Sequence, residues 1–545
     1  MKRVYGGALA VLVSAAAGVA AEAPTLTHLY PVAGKQGSTC AVTFAGKFDP
    51  WPPSVWVDTA GITCVPTPIT GIFNVEIAPD AAPGPHLVRV INEQGASAPR
   101  FFIVSRDAEL RDTEPNDLFS SPQNVAALPA TINGRLDKSG DVDSFAVTLK
   151  RGETLVARVE AFMLGSAFDG MLRLIGTDGT PLAFNHDGRT LDPFLAWEAP
   201  RDGVFIVQVM GFAFPPSSDV RLTGGENCVY RLHLTAGPFV RHTVPLAAQR
   251  GQKTTLQLVG WNLSASAIEF DAAQGGVAPD VELPGVLMAA PLRISDAPEL
   301  LESEPAGTGP AAQLITVPSA VTACIQQPKD EDRFAFTAVK ERIYEFKVTS
   351  YPCGSPLDAW LAIEGADGKE LARNDDVGNS PDPQLMWTAP SDGTFTVAIG
   401  DVTHRGGAGF VYRLAIGEAV PSFEATTAAH SLAIAPGKTA ELKVAIKRTH
   451  GFAAKLQLAA QNLPAGVSAE AVEISEKATE ATLKLVADPA ATPANQPFAI
   501  SVQEAGGELR RPVRCSARGA DENYTEAVID WTDQLWITVL TEPPK

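Results

Sequence analysis

The chain has 545 residues, of which 45% are hydrophobic and 19% are charged, and its formal net charge is −19. One hydrophobic core seldom grows beyond roughly 250–300 residues, so this length indicates several domains, and the apolar content excludes global disorder. The acidic balance argues against nucleic acid or anionic membranes as partners and is compatible with bound cations.

The N-terminus predicts an export signal over residues 1–21. It combines Lys2 and Arg3 with an apolar run rich in Ala and Val, and small residues follow at Val19-Ala20-Ala21. This is the pattern of a cleavable secretory signal, with an uncleaved anchor helix as the alternative. No later stretch approaches the roughly 20 apolar residues of a membrane span. We therefore expect an exported protein (periplasmic, cell-surface or secreted) with no integral membrane segment after cleavage.

Residues 24–105 have the pattern of a small β domain. The segment begins PTLTHLYPVAGKQGSTCAVTFAGKF and ends PGPHLVRVINEQGAS, so strands alternate with Pro- and Gly-containing turns. In this order of turns and strands it resembles an IPT/TIG immunoglobulin-like domain. The resemblance implies a β-sandwich.

One segment of the chain recurs with an offset of about 189 residues. DSFAVTLKRGETLVARVEAF and DRFAFTAVKERIYEFKVTSY begin the two copies, and VYRLHL and VYRLAI close them. Asp143 matches Asp332, Trp197 matches Trp387 and Tyr230 matches Tyr412. The sequence therefore predicts one domain that is used twice.

Each copy has the pattern of antiparallel strands. Apolar residues alternate with period two, as at Phe205-Val207-Val209, and Asp-Gly turns at 178–179 and 202–203 separate the runs. Strands of this length and spacing, without long helical periodicity, predict an all-β chain of tandem β-sandwiches.

The motifs EPND, GDxDxF, DPxLxW, APxDGxFxVxV and YRL occur in this order over residues 106–236, and most recur over 298–418. These segments resemble the bacterial pre-peptidase C-terminal (PPC) domain. The resemblance implies jelly-roll-like sandwiches that accompany secreted proteases and other exported proteins without being catalytic. It also implies that the segment matching EPND and GDxD holds calcium.

Three further segments complete the predicted organisation. Residues 237–297 are a weaker echo of the IPT/TIG pattern, 420–519 resemble an immunoglobulin-like module, and 520–545 form a C-terminal tail with a strand or two. This order of domains resembles that of exported planctomycete proteins.

Two oxygen-rich clusters lie at the start of the first copy, Asp112-Thr-Glu-Pro-Asn-Asp117 and Gly140-Asp-Val-Asp143. Alternate residues of an extended segment share one side, and Ca²⁺ takes six to eight oxygen ligands. The alternative is that these residues form turns by bonding their own backbone. The resemblance implies calcium at Glu114, Asn116, Asp117, Asp141 and Asp143, and spacing alone adds Asp112.

The second copy keeps only part of this set. Ala306 and Gly307 replace the residues that match Asn116 and Asp117, so the site is expected to be weaker or empty. The candidate ligands that remain at matching positions are Glu302, Glu304, Asp330 and Asp332.

A polar loop recurs at Asn185-His-Asp187 and at Asn374-Asp375-Asp376. Asp169 and Asp192 accompany the first loop, and Asp358 and Asp382 accompany the second. The loop is interpreted either as a second cation site, strongest in the second copy, or as an Asx-stabilised connection between strands. The sequence favours the second interpretation.

Six cysteines in an exported chain allow disulfides. Cys40 with Cys64 and Cys324 with Cys353 are candidate pairs within single domains, and buried free thiols are the alternative. No CxxC spacing is present, which argues against a zinc site.

No nucleophile motif such as GxSxG, HExxH or a Walker loop occurs, and no two of the eight histidines have metal-pair spacing.

Arg231 and Arg413 are expected to pair with carboxylates, and the repeated Trp and Tyr are expected to pack in the core. Phe212, Phe214 and Tyr351 are weak candidates for a recognition surface.

These features predict an exported, non-catalytic binding or scaffold protein rather than an enzyme. Its expected partner is an extracellular protein or polysaccharide, with Ca²⁺ stabilising the linker before the first PPC copy. The alternative is an accessory part of a secreted peptidase or hydrolase, or a cryptic hydrolase.

Overall fold

The computed structural model describes residues 22–188, 191–218, 220–272, 292–303, 312–378, 380–518 and 527–541. The chain is built of strands, and the two helical segments with described bounds are the 3-10 turns Phe162–Leu164 and Tyr351–Cys353. The predicted all-β class of tandem sandwiches is confirmed. Within the described residues, no helix is long and apolar enough to cross a membrane.

Residues 25–105, here called domain 1, form two facing sheets. The strands are β1 (Thr25–Tyr30), β2 (Ala33–Lys35), β3 (Thr39–Lys47), β4 (Ser54–Val57), β5 (Ile62–Pro66), β6 (Ile72–Ile77), β7 (Gly84–Asn92), β8 (Gly95–Ala96) and β9 (Arg100–Ser105). One sheet has the order β1-β3-β6-β5 and the other β2-β9-β7-β4, with β8 beside β7. Buried Phe44, Phe73 and Phe102 belong to the core between them.

Repeat domain 1 follows directly. Its strands are β10 (Glu109–Arg111), β11 (Gln123–Asn124), β12 (Ala130–Arg135), β13 (Asp143–Leu149), β14 (Thr154–Glu160), β15 (Phe168–Gly176), β16 (Pro181–Asn185), β17 (Phe194–Glu198), β18 (Gly203–Ala213) and β19 (Val229–Thr235). The two sheets have the orders β10-β12-β19-β14-β17 and β11-β13-β18-β15-β16. Phe145, Leu172 and Tyr230 are fully buried in the core, and burial of each such side chain contributes about 1.5–3 kcal/mol.

A smaller domain connects the repeats. Its described strands are β20 (Phe239–Val244), β21 (Ala247–Gln249), β22 (Lys253–Trp261), β23 (Ala267–Asp271) and β24 (Arg293–Ser295). They form a sheet of order β20-β22-β23 and a parallel pair β21-β24.

Repeat domain 2 has the strands β25 (Glu299–Leu301), β26 (Gln313–Leu314), β27 (Ser319–Cys324), β28 (Glu331–Ala338), β29 (Ile343–Thr349), β30 (Ala359–Glu364), β31 (Glu370–Asn374), β32 (Gln384–Thr388), β33 (Gly393–Asp401) and β34 (Val411–Glu418). Its sheets have the orders β25-β27-β34-β29-β32 and β26-β28-β33-β30-β31. Strand for strand, this is the topology of repeat domain 1, as the repeated sequence predicts.

The last domain contains β35 (Ser422–Thr426), β36 (Ser431–Ile434), β37 (Thr439–Thr449), β38 (Leu456–Gln461), β39 (Val467–Ala469), β40 (Val472–Ile474), β41 (Glu480–Ala487), β42 (Ala494–Glu504), β43 (Arg510–Ser516), β44 (Trp531–Thr532) and β45 (Leu535–Val539). Strand β45 lies between β36 and β42, and β44 pairs with β43. The described part of the predicted tail thus completes this domain rather than extending from it.

The last domain also packs against the first. The ring of Trp536, which is 1% exposed, meets Trp56 edge-on with centroids 5.4 Å apart. The guanidinium of buried Arg89 donates to the carbonyl of Gln534 at 2.8 Å, and Asn495 Nδ2 donates to the carbonyl of Asn92 at 3.0 Å. The chain therefore folds back on its own beginning.

The prediction of two disulfides, Cys40 with Cys64 and Cys324 with Cys353, is wrong. The structure has no disulfide among its six cysteines, all of which lie in described residues. Cys40 on β3 and Cys64 on β5 both lie opposite Val75 of the intervening β6. Two strand spacings of about 4.8 Å exceed the roughly 7 Å Cα separation that a disulfide can span. Cys324 donates to the carbonyl of Gly407 at 3.4 Å, and Cys353 lies in a 3-10 turn.

Candidate metal centre

The two oxygen-rich clusters of repeat domain 1 lie side by side. The segment 112–117 follows β10, and the loop 137–142 leads into β13. The amide of Ser144 donates to the carbonyl of Asn116 at 3.2 Å, which joins the two segments. Gly140 takes the left-handed conformation, with φ +88°, and turns this loop into the strand. The two segments therefore lie beside each other, as a shared ion would require.

Several oxygens from these clusters converge. Asp112, Glu114 and Asp143 each offer one carboxylate oxygen, and the three oxygens lie within 4.8 Å of one another. The carboxylates of Asp117 and Asp141 are neighbours close enough to shift each other's pKa. Carboxylates this close repel each other unless a proton or a cation lies between them.

The buried polar atoms of the centre include a set without hydrogen-bond partners in the described residues. Asn116 is 1% exposed, and neither its Oδ1 nor its Nδ2 makes a hydrogen bond there. The Oδ1 atoms of Asp117, Asp141 and Asp143 are also buried and make no hydrogen bond there. Buried polar groups ordinarily have such partners, so the oxygens in this cluster are available as ligands.

The remaining oxygens are held by the protein. Asp143 Oδ2 accepts a hydrogen bond from the Tyr230 hydroxyl at 2.5 Å, and Asp141 Oδ2 accepts one from the Asp137 amide at 2.5 Å. Glu114 Oε2 accepts the Asn116 amide at 3.1 Å. In each of these three carboxylates, one oxygen is therefore held in place by a hydrogen bond from the protein.

Asp112 differs from the other five residues. Its Oδ1 accepts a hydrogen bond from the Tyr30 hydroxyl and its Oδ2 accepts the Arg135 amide at 2.9 Å. Tyr30 belongs to domain 1, and the guanidinium groups of Arg111 and Arg135 lie 4.5 and 4.8 Å from its ring centroid. Asp112 therefore connects the centre to the preceding domain.

Burial changes the acidity of the centre. Burial is the main reason that the pKa of Asp143 is raised to about 9, with Asp112, Asp141 and Glu114 adding to it. Burial and the neighbouring Asp117 raise the pKa of Asp141 to about 7. The pKa of Asp117 is lowered, because the neighbouring Asp141 carboxyl and the Lys138 ammonium both favour its charged form. Two carboxyls therefore hold protons near neutral pH that a cation could replace.

Lys138 is the one cation in direct contact with these acids among the described residues. Its Nζ lies 2.9 Å from Asp117 Oδ2 and 3.9 Å from Asp141 Oδ1. The lysine side chain is largely exposed, so its charge only partly offsets the cluster.

Repeat domain 2 assembles a smaller set. Asp332 Oδ2 accepts the Tyr412 hydroxyl at 2.6 Å, its Oδ1 has no partner in the described part of the chain, and its pKa is raised by burial and by Glu302 to about 9. Asp330 accepts the Gln326 amide at 2.9 Å, and Glu302 accepts the Cys324 amide at 3.1 Å. Glu304 lies outside the described residues.

The second polar loop differs between the repeats. Asn374 accepts the Asp376 amide at 3.0 Å and donates to the Gln384 carbonyl at 2.8 Å, as an Asx-stabilised loop does. Asp375 and Asp376 are exposed and join no three-residue metal-ligating group in the described ranges. In repeat domain 1, Asp169, His186 and Asp187 do come together. Asp192 and Asp382 instead accept backbone amides of the 3-10 turns.

The expected structural roles of three kinds of residue are confirmed. Arg231 pairs with Glu109 and Glu160, at 2.5 and 2.9 Å, and Arg413 pairs with Glu299 at 2.5 Å. The repeated Trp and Tyr side chains pack in or against the two cores. Phe214 packs edge-on against Phe162, with centroids 5.1 Å apart, whereas Phe212 is exposed.

No family model matches the chain. A probable subtilase-type serine protease from Deinococcus radiodurans is 31% identical over 98 residues, which are 18% of this chain and 14% of that protein. The chain thus matches about a seventh of that relative's length.

Two solved structures are similar to parts of the chain. The pre-peptidase C-terminal domain of a collagenase from Bacillus anthracis is 11% identical, covers 20% of this chain and 97% of its own, and has a TM-score of 0.17. The g-type lysozyme inhibitor PliG from Aeromonas hydrophila is 16% identical, with 20% and 99% covered and a TM-score of 0.15. Similarities at this level carry no conclusion about function.

Proposed function

We propose that this chain is an exported, non-catalytic binding or scaffold protein that takes up calcium in repeat domain 1. The ion would lie between the segment 112–117 and the loop 137–143. The observation that carries this proposal is the set of buried oxygens of Asn116, Asp117, Asp141 and Asp143 that have no hydrogen-bond partner in the described residues. All are hard oxygen donors, which suit Ca²⁺ better than a transition metal.

Calcium would also have a mechanical role. Asp112 accepts the Tyr30 hydroxyl and belongs to the same oxygen group as Glu114 and Asp143. An ion bound there would hold the segment between domain 1 and the repeat sandwich in one position. A fixed orientation would present the exposed loops of several domains to an extracellular protein or polysaccharide as one surface.

The test is calorimetric titration of the chelator-stripped mature protein with CaCl₂. One saturable site is expected, with a dissociation constant on the order of 10⁻⁴–10⁻³ M or tighter. The Asp141→Asn, Asp143→Asn variant should lose it, whereas the matched Asp330→Asn, Asp332→Asn variant of repeat domain 2 should keep it. A titration without heat, or heat that survives in the first variant, would refute the calcium proposal.

An accessory role beside a secreted peptidase is the second candidate. It is favoured by the 98-residue similarity to the Deinococcus radiodurans protein, whose name is that of a serine protease. Assays of the purified chain on casein, collagen and common polysaccharides separate the candidates, because hydrolysis would overturn the non-catalytic proposal. Binding without hydrolysis in the same assays would support it.

A further inference from the structure

A second group of metal-ligating side chains lies in repeat domain 1, away from the calcium centre. Asp169 is on β15, and His186 and Asp187 follow the end of β16, the neighbouring strand. Each of the three offers one ligand atom, and these atoms lie within 4.8 Å of one another. The antiparallel pairing of β15 with β16 therefore brings together a nitrogen and two carboxylate oxygens.

His186 and Asp169 are in direct contact, and one polar atom of each is shielded from solvent. His186 Nε2 lies 3.2 Å from Asp169 Oδ2, yet this nitrogen is shielded from solvent and makes no hydrogen bond of acceptable geometry in the described residues. Asp169 Oδ1 is likewise shielded and without a partner there. A metal ion bound to both residues would satisfy these two atoms.

The spacing fits two ligands of one small metal ion. Zinc binds imidazole nitrogen and carboxylate oxygen at about 2.0–2.2 Å, which puts adjacent ligands of a tetrahedral or octahedral site roughly 3.0–3.5 Å apart. The observed 3.2 Å falls in this range. Asp187 Oδ2 lies 3.7 Å from His186 Nδ1, and Asp187 also offers a ligand atom within 4.8 Å of ligand atoms of both Asp169 and His186.

We propose that Asp169, His186 and Asp187 form a site for a divalent transition metal such as Zn²⁺. The imidazole nitrogen separates this site from the all-oxygen calcium centre, because nitrogen donors favour zinc, nickel and cobalt over calcium. Three protein ligands leave at least one coordination position open.

The open coordination position of the proposed metal site lies next to a cleft. Asp187 and Gly188 lie on the wall of a cleft of about 580 Å³ between the two repeat domains and the connecting domain. Trp261, Tyr351 and Arg405 contribute to the other walls. A metal at this place would present its free position to a molecule in the cleft, so the site would act as a point of attachment for an oxygen or nitrogen donor.

The chain contains its own control. In repeat domain 2 the matching residues are Asp358, Asp375 and Asp376, so an aspartate stands in place of His186. Among the described residues, these three do not come together as a ligand group. The site is therefore expected in one repeat and not in the other.

The test is calorimetric titration of the untagged, chelator-stripped protein with ZnCl₂ and with NiCl₂, in the presence of saturating CaCl₂. One equivalent should bind, and His186→Ala and Asp169→Asn should each weaken binding at least tenfold. Asp375→Ala in repeat domain 2 should leave it unchanged. The Asp141→Asn, Asp143→Asn variant should also retain it, which keeps this result separate from the calcium proposal.

Two controls complete the design. Thermal unfolding of His186→Ala without metal should match that of the parent, because this side chain is partly exposed. Titration with Co²⁺ gives a spectrum free of thiolate-to-metal charge transfer if the cysteines are not the ligands. Absence of binding, undiminished binding in His186→Ala, or a thiolate spectrum would each overturn the proposal and leave the contact as an ion pair.

Discussion

The Tyr30 hydroxyl donates a hydrogen bond to Asp112 Oδ1, across a boundary between two domains. Tyr30 ends the first strand of domain 1, and Asp112 begins the oxygen-rich segment of repeat domain 1. Burial and the adjacent Asp112 carboxylate both raise the pKa of Tyr30, so its proton stays in place at physiological pH. Through this hydrogen bond a cation in the centre would act on the orientation of domain 1.

Tyr30→Phe tests whether this hydrogen bond links calcium binding to the orientation of domain 1. Loss of a part-buried hydrogen bond to a carboxylate is expected to lower the free energy of unfolding by about 1–3 kcal/mol. The change in small-angle scattering on calcium addition should become smaller, because the hydrogen bond between domain 1 and the centre is lost while the ring contacts to Arg111 and Arg135 remain. Tyr344→Phe is the control, since its hydroxyl accepts the Val339 amide within repeat domain 2. An unchanged calcium response in Tyr30→Phe would contradict the mechanical role.

Calcium binding should release protons. The pKa of Asp143 is about 9 and that of Asp141 is about 7, so near pH 7 both carry protons that an ion must displace. About one proton or more per calcium is expected, and affinity should rise as pH increases from 6 to 9. Titration in two buffers with different ionisation enthalpies measures this number. Equal apparent enthalpies in both buffers would argue against protons on Asp141 and Asp143 before calcium binds.

Asp143→Asn should stabilise the protein in chelator at high pH. The folded-state pKa of Asp143 lies above its unfolded value, so the stability that its proton contributes is complete below about pH 4 and is lost as pH rises through about 9. At pH 9 the neutral amide avoids a buried charge, and a gain on the order of 1–3 kcal/mol is expected. Thermal unfolding with chelator should show a higher Tm than the parent at pH 9 but little difference at pH 4. Asp332→Asn tests the same effect in repeat domain 2, where the pKa is also about 9.

Lys138→Ala should tighten calcium binding. The ammonium group lies 2.9 Å from Asp117 Oδ2 and competes with any cation for that carboxylate. Because the lysine is exposed, the gain is expected to be modest, roughly two- to fivefold in the dissociation constant at low salt. Lys340→Ala, which removes an exposed lysine beside Glu341, serves as the control. Weaker binding in Lys138→Ala would show that the lysine supports the site instead.

Trp536→Ala should loosen the contact between the first and last domains. Trp536 is 1% exposed and contacts Trp56, so truncation is expected to cost about 3–5 kcal/mol. The particle should also become more extended in solution scattering. Trp531→Ala removes a side chain that is 47% exposed and should have little effect on either measurement. If the two substitutions had equal effects, the stability that Trp536 contributes would not come from its contact with Trp56.

The local pattern of the chain determines much of this architecture. Period-two alternation and Asp-Gly turns predict the strands, and the 189-residue repeat predicts two domains with one topology, because local strand and turn preferences act within a few residues. The oxygen-rich clusters around Asp117 and Asp141 are also visible as sequence, since hard ligands must be supplied as Asp, Glu and Asn.

Other features depend on contacts between residues far apart in the chain, which local preferences cannot specify. Strand order separates Cys40 from Cys64 by a full strand and so prevents the predicted disulfide. The same kind of long-range pairing inserts Leu535–Val539 between β36 and β42 and brings His186 to Asp169. Tyr30 meets Asp112 only because two domains pack at one angle. Local sequence thus sets which side chains are available along the strands and turns. Which of them meet depends on tertiary packing, because burial and strand register are properties of the whole fold.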